Sequence, residues 1–237
     1  MDILIVIVIT SLIQSLFGVG VLLFGTPMML LLGYPFLDSL LILLPISASI
    51  NAIQIIKDYK YIDKAIYKNI LFLTVPFIIL FLLIVSKNSI DINMLIGIFL
   101  IFIVLKDYIL VFKNLFNKIL SYNKIFYSTM GIIHGLTNLG GALLTAKVFH
   151  TNLNKYEKRA TIAISYMTFA IFQIITILFL DIKYEISNLY YIIVGVVVYL
   201  VINKIFFHKI SDHKYDKLFS LFLILSGIAL IGKGIVW

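Results

Sequence analysis

Apolar residues fill this chain in runs too long and too closely spaced for a water-soluble core to hold. They extend approximately over 2–33, 36–56, 69–86, 90–112, 122–148, 160–180, 186–203 and 218–236. Each run is close to or above the roughly 20 residues that a helix needs to cross about 30 Å of hydrocarbon. Only 13% of the 237 residues are charged and 62% are hydrophobic, against about 25% charged in ordinary soluble domains. No loop is long enough to fold outside the lipid, so a separate catalytic or nucleic-acid-binding module is excluded. A transmembrane barrel would show strands of about ten residues with apolar/polar alternation. Continuous apolarity predicts instead an all-α polytopic membrane protein. The opening stretch, Met1 to Leu16, lacks a basic leader and a small-residue cleavage site, and is read as mature structure. Cysteine is absent, which removes disulfides, thiolate metal sites and cysteine nucleophiles.

Two of the eight segments are interrupted. The first carries Gly18, Gly20, Gly25 and Pro27 near its middle, and the fifth carries Asn138, Gly140 and Gly141. Basic residues suggest what the interruptions mean. Sixteen of the 19 fall in four clusters: Lys57 to Lys68, Lys106 to Lys124, Lys147 to Arg159, and Lys204 to Lys217. Eight full crossings would divide the basic residues 10 to 9 between the two sides, whereas a fifth segment that dips in and returns divides them 16 to 3. The bias of lysine and arginine toward the cytoplasm favours the second layout. A broken 27-residue segment has legs of roughly 13 residues, about 20 Å, which stop near the midplane.

The halves also resemble one another at an offset of about 120. Gln14-Ser15-Leu16 and Gly20 lie over His134-Gly135-Leu136 and Gly140, and Gln54-Ile55-Ile56 lies over Gln173-Ile174-Ile175. Each half, residues 1–118 and 119–237, is therefore expected to be a re-entrant broken-helix hairpin plus three transmembrane helices. An odd number of crossings makes the second half an inverted repeat of the first. Both termini, with Asp2, Asp38, Asp91, Asp181 and Glu185, fall on the outer face in this layout.

Irregular backbone at membrane depth is tolerated only inside protein or along a wet cavity. The second leg of each hairpin starts near Gly20 or Gly140, so its N–H groups and positive dipole end would point toward the midplane. Glycine allows close approach to that backbone, and two opposed N-termini could cradle an oxyanion; the bland alternative is that the glycines serve helix packing. His134, Thr137, Asn138 and Gly141 share one helical face up to the break. Ser47, Asn51 and Gln54 form a second polar stripe, and Thr161, Ser165 and Thr168 a third. Each stripe suits a lined pathway or ordinary interhelical hydrogen bonding. The candidate substrate-binding residues are Gly20, Val21, Asn51, Gln54, His134, Thr137, Asn138, Gly140, Gly141 and Gln173. His134, an ionisable group in a membrane leg, could carry a coupled proton, bind an anion or simply be solvated. Lys147 could attract an anion or anchor the hairpin end at the interface.

Other motifs do not hold. Gly227 to Lys233 has P-loop spacing, but Gly234 stands where Ser or Thr should hold magnesium. Ser121 to Lys124 is an isolated S-x-x-K without its β-lactamase companions. His134, His150, His208 and His213 are not grouped with carboxylates, so neither a metal site nor a cofactor is expected, and an enzyme is not indicated.

GVGVLLFGTPMMLLLG from Gly18 to Gly33 and HGLTNLGGALLTAKVFH from His134 to His150 resemble the sulfite exporter TauE/SafE family of bacterial membrane transporters. The likeness runs over nearly the whole chain. It maps the family's glycine-rich stretches onto Gly18, Gly20 and Pro27, and onto Gly135, Gly140 and Gly141. Val19 and Val21 stand where a denser glycine run is usual, and Lys147 stands opposite Pro27. The resemblance implies transport of sulfite, sulfonates or related sulfur-containing anions across the bacterial cytoplasmic (inner) membrane, with lipid as surroundings and no nucleic-acid partner. Export by a secondary transporter or uniporter is the leading expectation. A non-transporting membrane subunit and an anion channel are the alternatives, and oligomeric state is left open.

Overall fold

A computed structural model describes residues 1–88, 96, 99, 109–180 and 189–206. The eighth apolar segment and most of the fourth lie outside these residues. Every regular element among them is helical. In chain order they are α1 (Asp2–Phe17), α2 (Val21–Leu31), α3 (Phe36–Asp58), α4 (Lys64–Asn69), α5 (Val75–Lys87), α6 (Leu110–Ser121), α7 (Asn123–Thr137), α8 (Gly141–Phe149), α9 (Lys155–Leu178) and α10 (Leu189–Phe206). Among the described residues, three stretches are long and apolar enough to cross a membrane: Phe36–Tyr61, Lys64–Lys87 and Lys155–Leu178. The first and fifth segments are each two helices, α1 with α2 and α7 with α8, broken where the sequence reading placed the interruptions.

Helix ends differ from the apolar runs because capping chemistry, not hydrophobicity, sets them. The third segment begins at Lys64, ahead of the expected 69, since the Asp63 carboxylate accepts the Ile66 N–H at 2.8 Å. The sixth begins at Lys155 and not at 160. Asn154 Oδ1 accepts the N–H groups of Tyr156 and Glu157, while Glu157 Oε2 accepts the Asn154 N–H. This reciprocal box satisfies donors that the first helical turn would otherwise leave unpaired. A consequence is that Lys155, Lys158 and Arg159, read from sequence as a loop cluster, lie on α9 and are buried. Between α4 and α5 the backbone widens into a π-turn over Ile70–Thr74. Pro76 follows it and cannot donate to the carbonyl four residues back, which favours such a local adjustment.

The packing centres on α3 against α9. Around this pair, α1 lies on α2 and α10, α5 on α7 and α9, α10 on α3, α2 on α3, and α8 on α9 and α7. The two broken segments meet where α2 touches α8. Depth follows position: 67% of the apolar stretch of α9 is buried, against 33% for Lys64–Lys87. The exposed side chains Phe72, Leu80 and Ile84, and on α10 Ile193, Val197 and Val201, form apolar flanks suited to lipid.

Small residues set the closest approach. Gly131 and Gly135, one turn apart on α7, face α5, and a Cβ on Gly135 would stand 2.8 Å from the Ile78 carbonyl oxygen and 2.9 Å from Phe81 Cβ. This is the small-xxx-small arrangement by which membrane helices bring backbones together. Thr74 Oγ donates to the Tyr127 carbonyl at 3.0 Å in the same interface. Gly131→Ala and Gly135→Ala should each destabilise the detergent-solubilised protein by about 1–3 kcal/mol, read as an earlier thermal unfolding transition. Gly33→Ala should not act by crowding, because nothing lies within 4 Å of its missing Cβ.

Candidate functional site

Both helix breaks are built on one plan, 120 residues apart. α1 ends at Gly18 in the left-handed conformation (φ 75°), its N–H donating to the Gln14 carbonyl at 2.9 Å. α7 ends at Asn138, also left-handed (φ 62°), its N–H donating to the His134 carbonyl at 2.8 Å. Glycine adopts this region freely and asparagine tolerates it, so either can end a helix this way. The chain then turns back on the helix it has left. A Cβ on Gly20 would meet the Thr10 carbonyl and lie 2.6 Å from Gln14 N; one on Gly140 would lie 2.5 Å from both His134 Cβ and the Met130 carbonyl. Gly20 is extended and Gly140 right-handed, so these glycines serve space and not conformation. The space belongs to the helix that precedes each break, α1 or α7.

Gly141 is different. The place its side chain would take is filled by the hydroxyl end of Tyr166, which reaches over from α9. Val21 occupies the matching position in the first half. The exchange of a side chain for bare backbone therefore brings a phenol onto the N-terminal end of α8.

Three polar groups of the first break, Gln14, Asn51 and Ser47, are mutually satisfied, while Gln54 beside them keeps an unpartnered end. The Val21 N–H donates to Gln14 Oε1 at 2.9 Å, Gln14 Nε2 to Asn51 Oδ1 at 3.0 Å, and Asn51 Nδ2 to Ser47 Oγ at 3.2 Å. Those of the second are not. His134 Nε2 pairs with Gln173 Oε1 at 3.2 Å, and Asn138 Nδ2 donates to Thr26 Oγ on α2 at 2.7 Å. The opposite ends of these groups, His134 Nδ1, Gln173 Nε2 and Asn138 Oδ1, are buried without a protein partner, as are Tyr166 Oη and Gln54 Oε1. Buried polar atoms are normally hydrogen-bonded, because leaving one unpaired in a low-dielectric interior is costly. Most of this unmet capacity gathers on α7 and α9 beside the start of α8. The first turn of α8 also offers the positive end of its backbone dipole.

All the candidates on α3, α7 and α9 are buried. Thr137 braces the break: its hydroxyl donates to the Ile133 carbonyl at 2.7 Å and accepts the Leu139 N–H at 3.2 Å. Gln54 Nε2 donates to the Arg159 carbonyl at 3.2 Å and ties α3 to α9. The third stripe meets its needs structurally, since Ser165 bonds to the Thr161 carbonyl, Thr168 to the Ile164 carbonyl and Tyr67, and Thr161 Oγ to the Asp63 N–H. Lys147 Nζ donates to Asn123 Oδ1 at 3.0 Å, joining the far ends of the two legs.

Sequence reasoning missed Thr26, Tyr166 and Arg159. Arg159, the single arginine, is buried and donates through Nη2 to Tyr199 Oη at 3.1 Å and Asn203 Oδ1 at 2.6 Å. It locks α10 beside the first break, where its Cγ abuts Gly18. Among the described residues no group of His and carboxylates could hold a metal.

Long apolar helices wrapped round a buried polar interior, with two more interrupted beside it, define the chain as a polytopic α-helical membrane protein. The family model of the sulfite exporter TauE/SafE matches residues 3–230. The chain belongs to that family, as its glycine-rich stretches suggested, and is thus a membrane transporter of sulfite or a related anion. No curated protein and no solved structure matches it.

The Tyr166 contact gives a stability test. Gly141→Ala should destabilise the protein, and the penalty should shrink in a Tyr166→Ala background, with a coupling on the order of 1–3 kcal/mol in a double-mutant cycle followed by thermal unfolding.

Proposed function

We propose that the chain exports sulfite or a small organosulfonate, binding it near the midplane at the second break, between the start of α8 and the side chains of His134, Tyr166 and Gln173. The observation that carries this reading is the unmet hydrogen-bonding capacity gathered there, next to a helix N-terminus, while Gln14, Asn51 and Ser47 at the first break bond to one another and Gln54 Oε1 is left over. Gly20, Val21 and Asn51 then support the opposing hairpin, and Asn138, through Thr26, couples the two tips. Gly140 keeps the legs together and Gly141 admits Tyr166.

The mechanism rests on an inverted repeat of residues 1–118 and 119–237. Exchanging α1, α2, α3 and α5 for α7, α8, α9 and α10 carries the observed contacts onto one another: α1 with α10 becomes α7 with α5, α2 with α3 becomes α8 with α9, and α3 with α10 becomes α9 with α5. Helices of 16 and 11 residues in one half, and 15 and 9 in the other, span about 24, 16, 22 and 14 Å. Each is short for a crossing, in keeping with re-entrant hairpins whose tips meet inside the lipid. Rocking of the hairpins against α3 and α9 alternates access to the site. A cytoplasm-negative potential drives an anion outward by about 2.3 kcal/mol per charge per 100 mV, so no ATP is required.

Purified protein in liposomes should carry sulfite, thiosulfate, sulfoacetate or taurine in preference to carboxylates, with a rate that saturates. A rate that never saturates indicates a channel. Tyr166→Phe keeps the ring and removes one donor to a charged ligand, a loss of roughly 1.5–3 kcal/mol, so half-saturation should rise about tenfold or more; an unchanged value counts against the site. The cysteine-free chain also permits a topology test. A His150→Cys variant should react with an impermeant maleimide from the cytoplasmic side, and labelling from the outside would contradict the re-entrant layout.

A further inference from the structure

The two halves carry different residues at one station. Gln14 and His134 both sit one turn before their break, and the carbonyl of each accepts the N–H of the left-handed cap. Gln14 spends both ends of its amide on protein groups, Val21 N–H and Asn51 Oδ1. His134 spends one nitrogen on Gln173 and keeps the other unpartnered, as Gln173 keeps its amide nitrogen.

Donor and acceptor counting makes this difference chemical. Gln173 Oε1 can only accept, so the ring must donate to it through Nε2–H. A neutral ring then presents a bare lone pair at Nδ1. Turning the Gln173 amide over moves the acceptor onto Gln173 and leaves the total unchanged. In either arrangement the neutral pair has one donor and one acceptor left over. An anion only accepts, so one position in the neutral pair repels it. Adding a single proton gives Nε2–H to Gln173 Oε1, a donor at Nδ1 and the donors of the Gln173 amide, and it places a positive charge beside the anion.

We propose that His134 binds a proton together with the transported anion, so that one proton accompanies each anion through the site. This rests on the transport reading above and adds the coupling. With the site empty, an imidazolium would be a buried charge lacking a counter-ion, and the ring stays neutral; with an anion present each charge supplies the other's partner. The last turn of α7 favours a cation through its dipole. On α9 the ring faces Tyr166, Phe169 and Gln173, Gly140 just ahead of α8 lies against His134, and α5 brings Ile78 and Phe81 against neighbouring Gly135. Tyr166 is the one titratable side chain in this described set, so the proton belongs to His134. For a monovalent anion the pair moves no net charge and direction follows the anion and pH gradients, whereas a divalent anion with one proton still moves one negative charge and keeps the outward electrical drive.

The experiment measures binding and flux of sulfite and methanesulfonate by the full chain in liposomes between about pH 5.5 and about pH 8.5, the range in which histidine titrates. Wild-type affinity should fall about tenfold per pH unit once the ring is neutral, and a trapped pH dye should report one proton moved per anion. His134→Gln installs the residue that the first half uses at this station. Whatever its affinity, its binding should lose the histidine-dependent slope, and any flux that remains should carry the anion without the proton; comparison with wild type cancels the titration of sulfite itself. A variant that keeps the wild-type slope, or wild-type flux of methanesulfonate with no proton movement, overturns the coupling and leaves the transport reading standing. Absence of flux for both anions in wild type removes the transport reading and the coupling with it.

Discussion

A backbone interrupted among apolar helices must find hydrogen-bond partners within the protein, since hydrocarbon offers none. This chain meets that demand twice with the same device. A left-handed residue closes the first leg on the carbonyl four positions back, a glycine lets the chain fold against that leg, and a side chain from the leg reaches the break. Around each break the neighbouring helices carry polar groups in otherwise apolar surroundings, and α3 and α9 pack on each other beside them. The central packing of the molecule thus follows from the need to shelter two openings in the helical ladder.

The two breaks share a construction and differ in what remains unspent. In the first, Gln14, Asn51 and Ser47 form a closed chain of hydrogen bonds ending on the backbone of α2. In the second, a histidine replaces the glutamine, a glycine replaces Val21, and Tyr166 stands where the offset places Ser47. The result is a cluster of polar atoms held in position by the bonds they do make, His134 through Gln173 and Asn138 through Thr26, with their other ends left over. A group held by one bond and open at the other end is fixed in orientation, which would lower the ordering cost of the proposed binding.

Much of this was legible in the residues. Uninterrupted apolarity marks helices in lipid, and Gly18 to Pro27 and Asn138 to Gly141 mark the interruptions, because few other reasons put such residues in the middle of a hydrophobic run. The offset near 120 linked His134 to Gln14 before any contact was known. The helix starts at Lys64 and Lys155 were not found from hydropathy, as they depend on Asp63 and on the Asn154 and Glu157 box, whose charged residues resemble a loop. Tyr166 was missed altogether: a tyrosine within an apolar helix gives no periodic or compositional signal. Arg159 was counted as one more surface cation because its neighbours are lysines.

The sequence by itself determined that the chain is helical, lies in a membrane, is broken at two related places and belongs with transporters of sulfite or similar anions, since these follow from the order of apolar, glycine and basic residues along one dimension. Tertiary structure alone decided which polar groups are spent and which are open. Gly20 and Gly140, the expected cradle, turn their bare faces to the helices that precede them, whereas Gly141 turns its own to α9, under a phenol 25 residues further on. That pairing is made by the packing of α8 on α9, and satisfaction of hydrogen bonds is a property of three-dimensional neighbours that no spacing along the chain encodes.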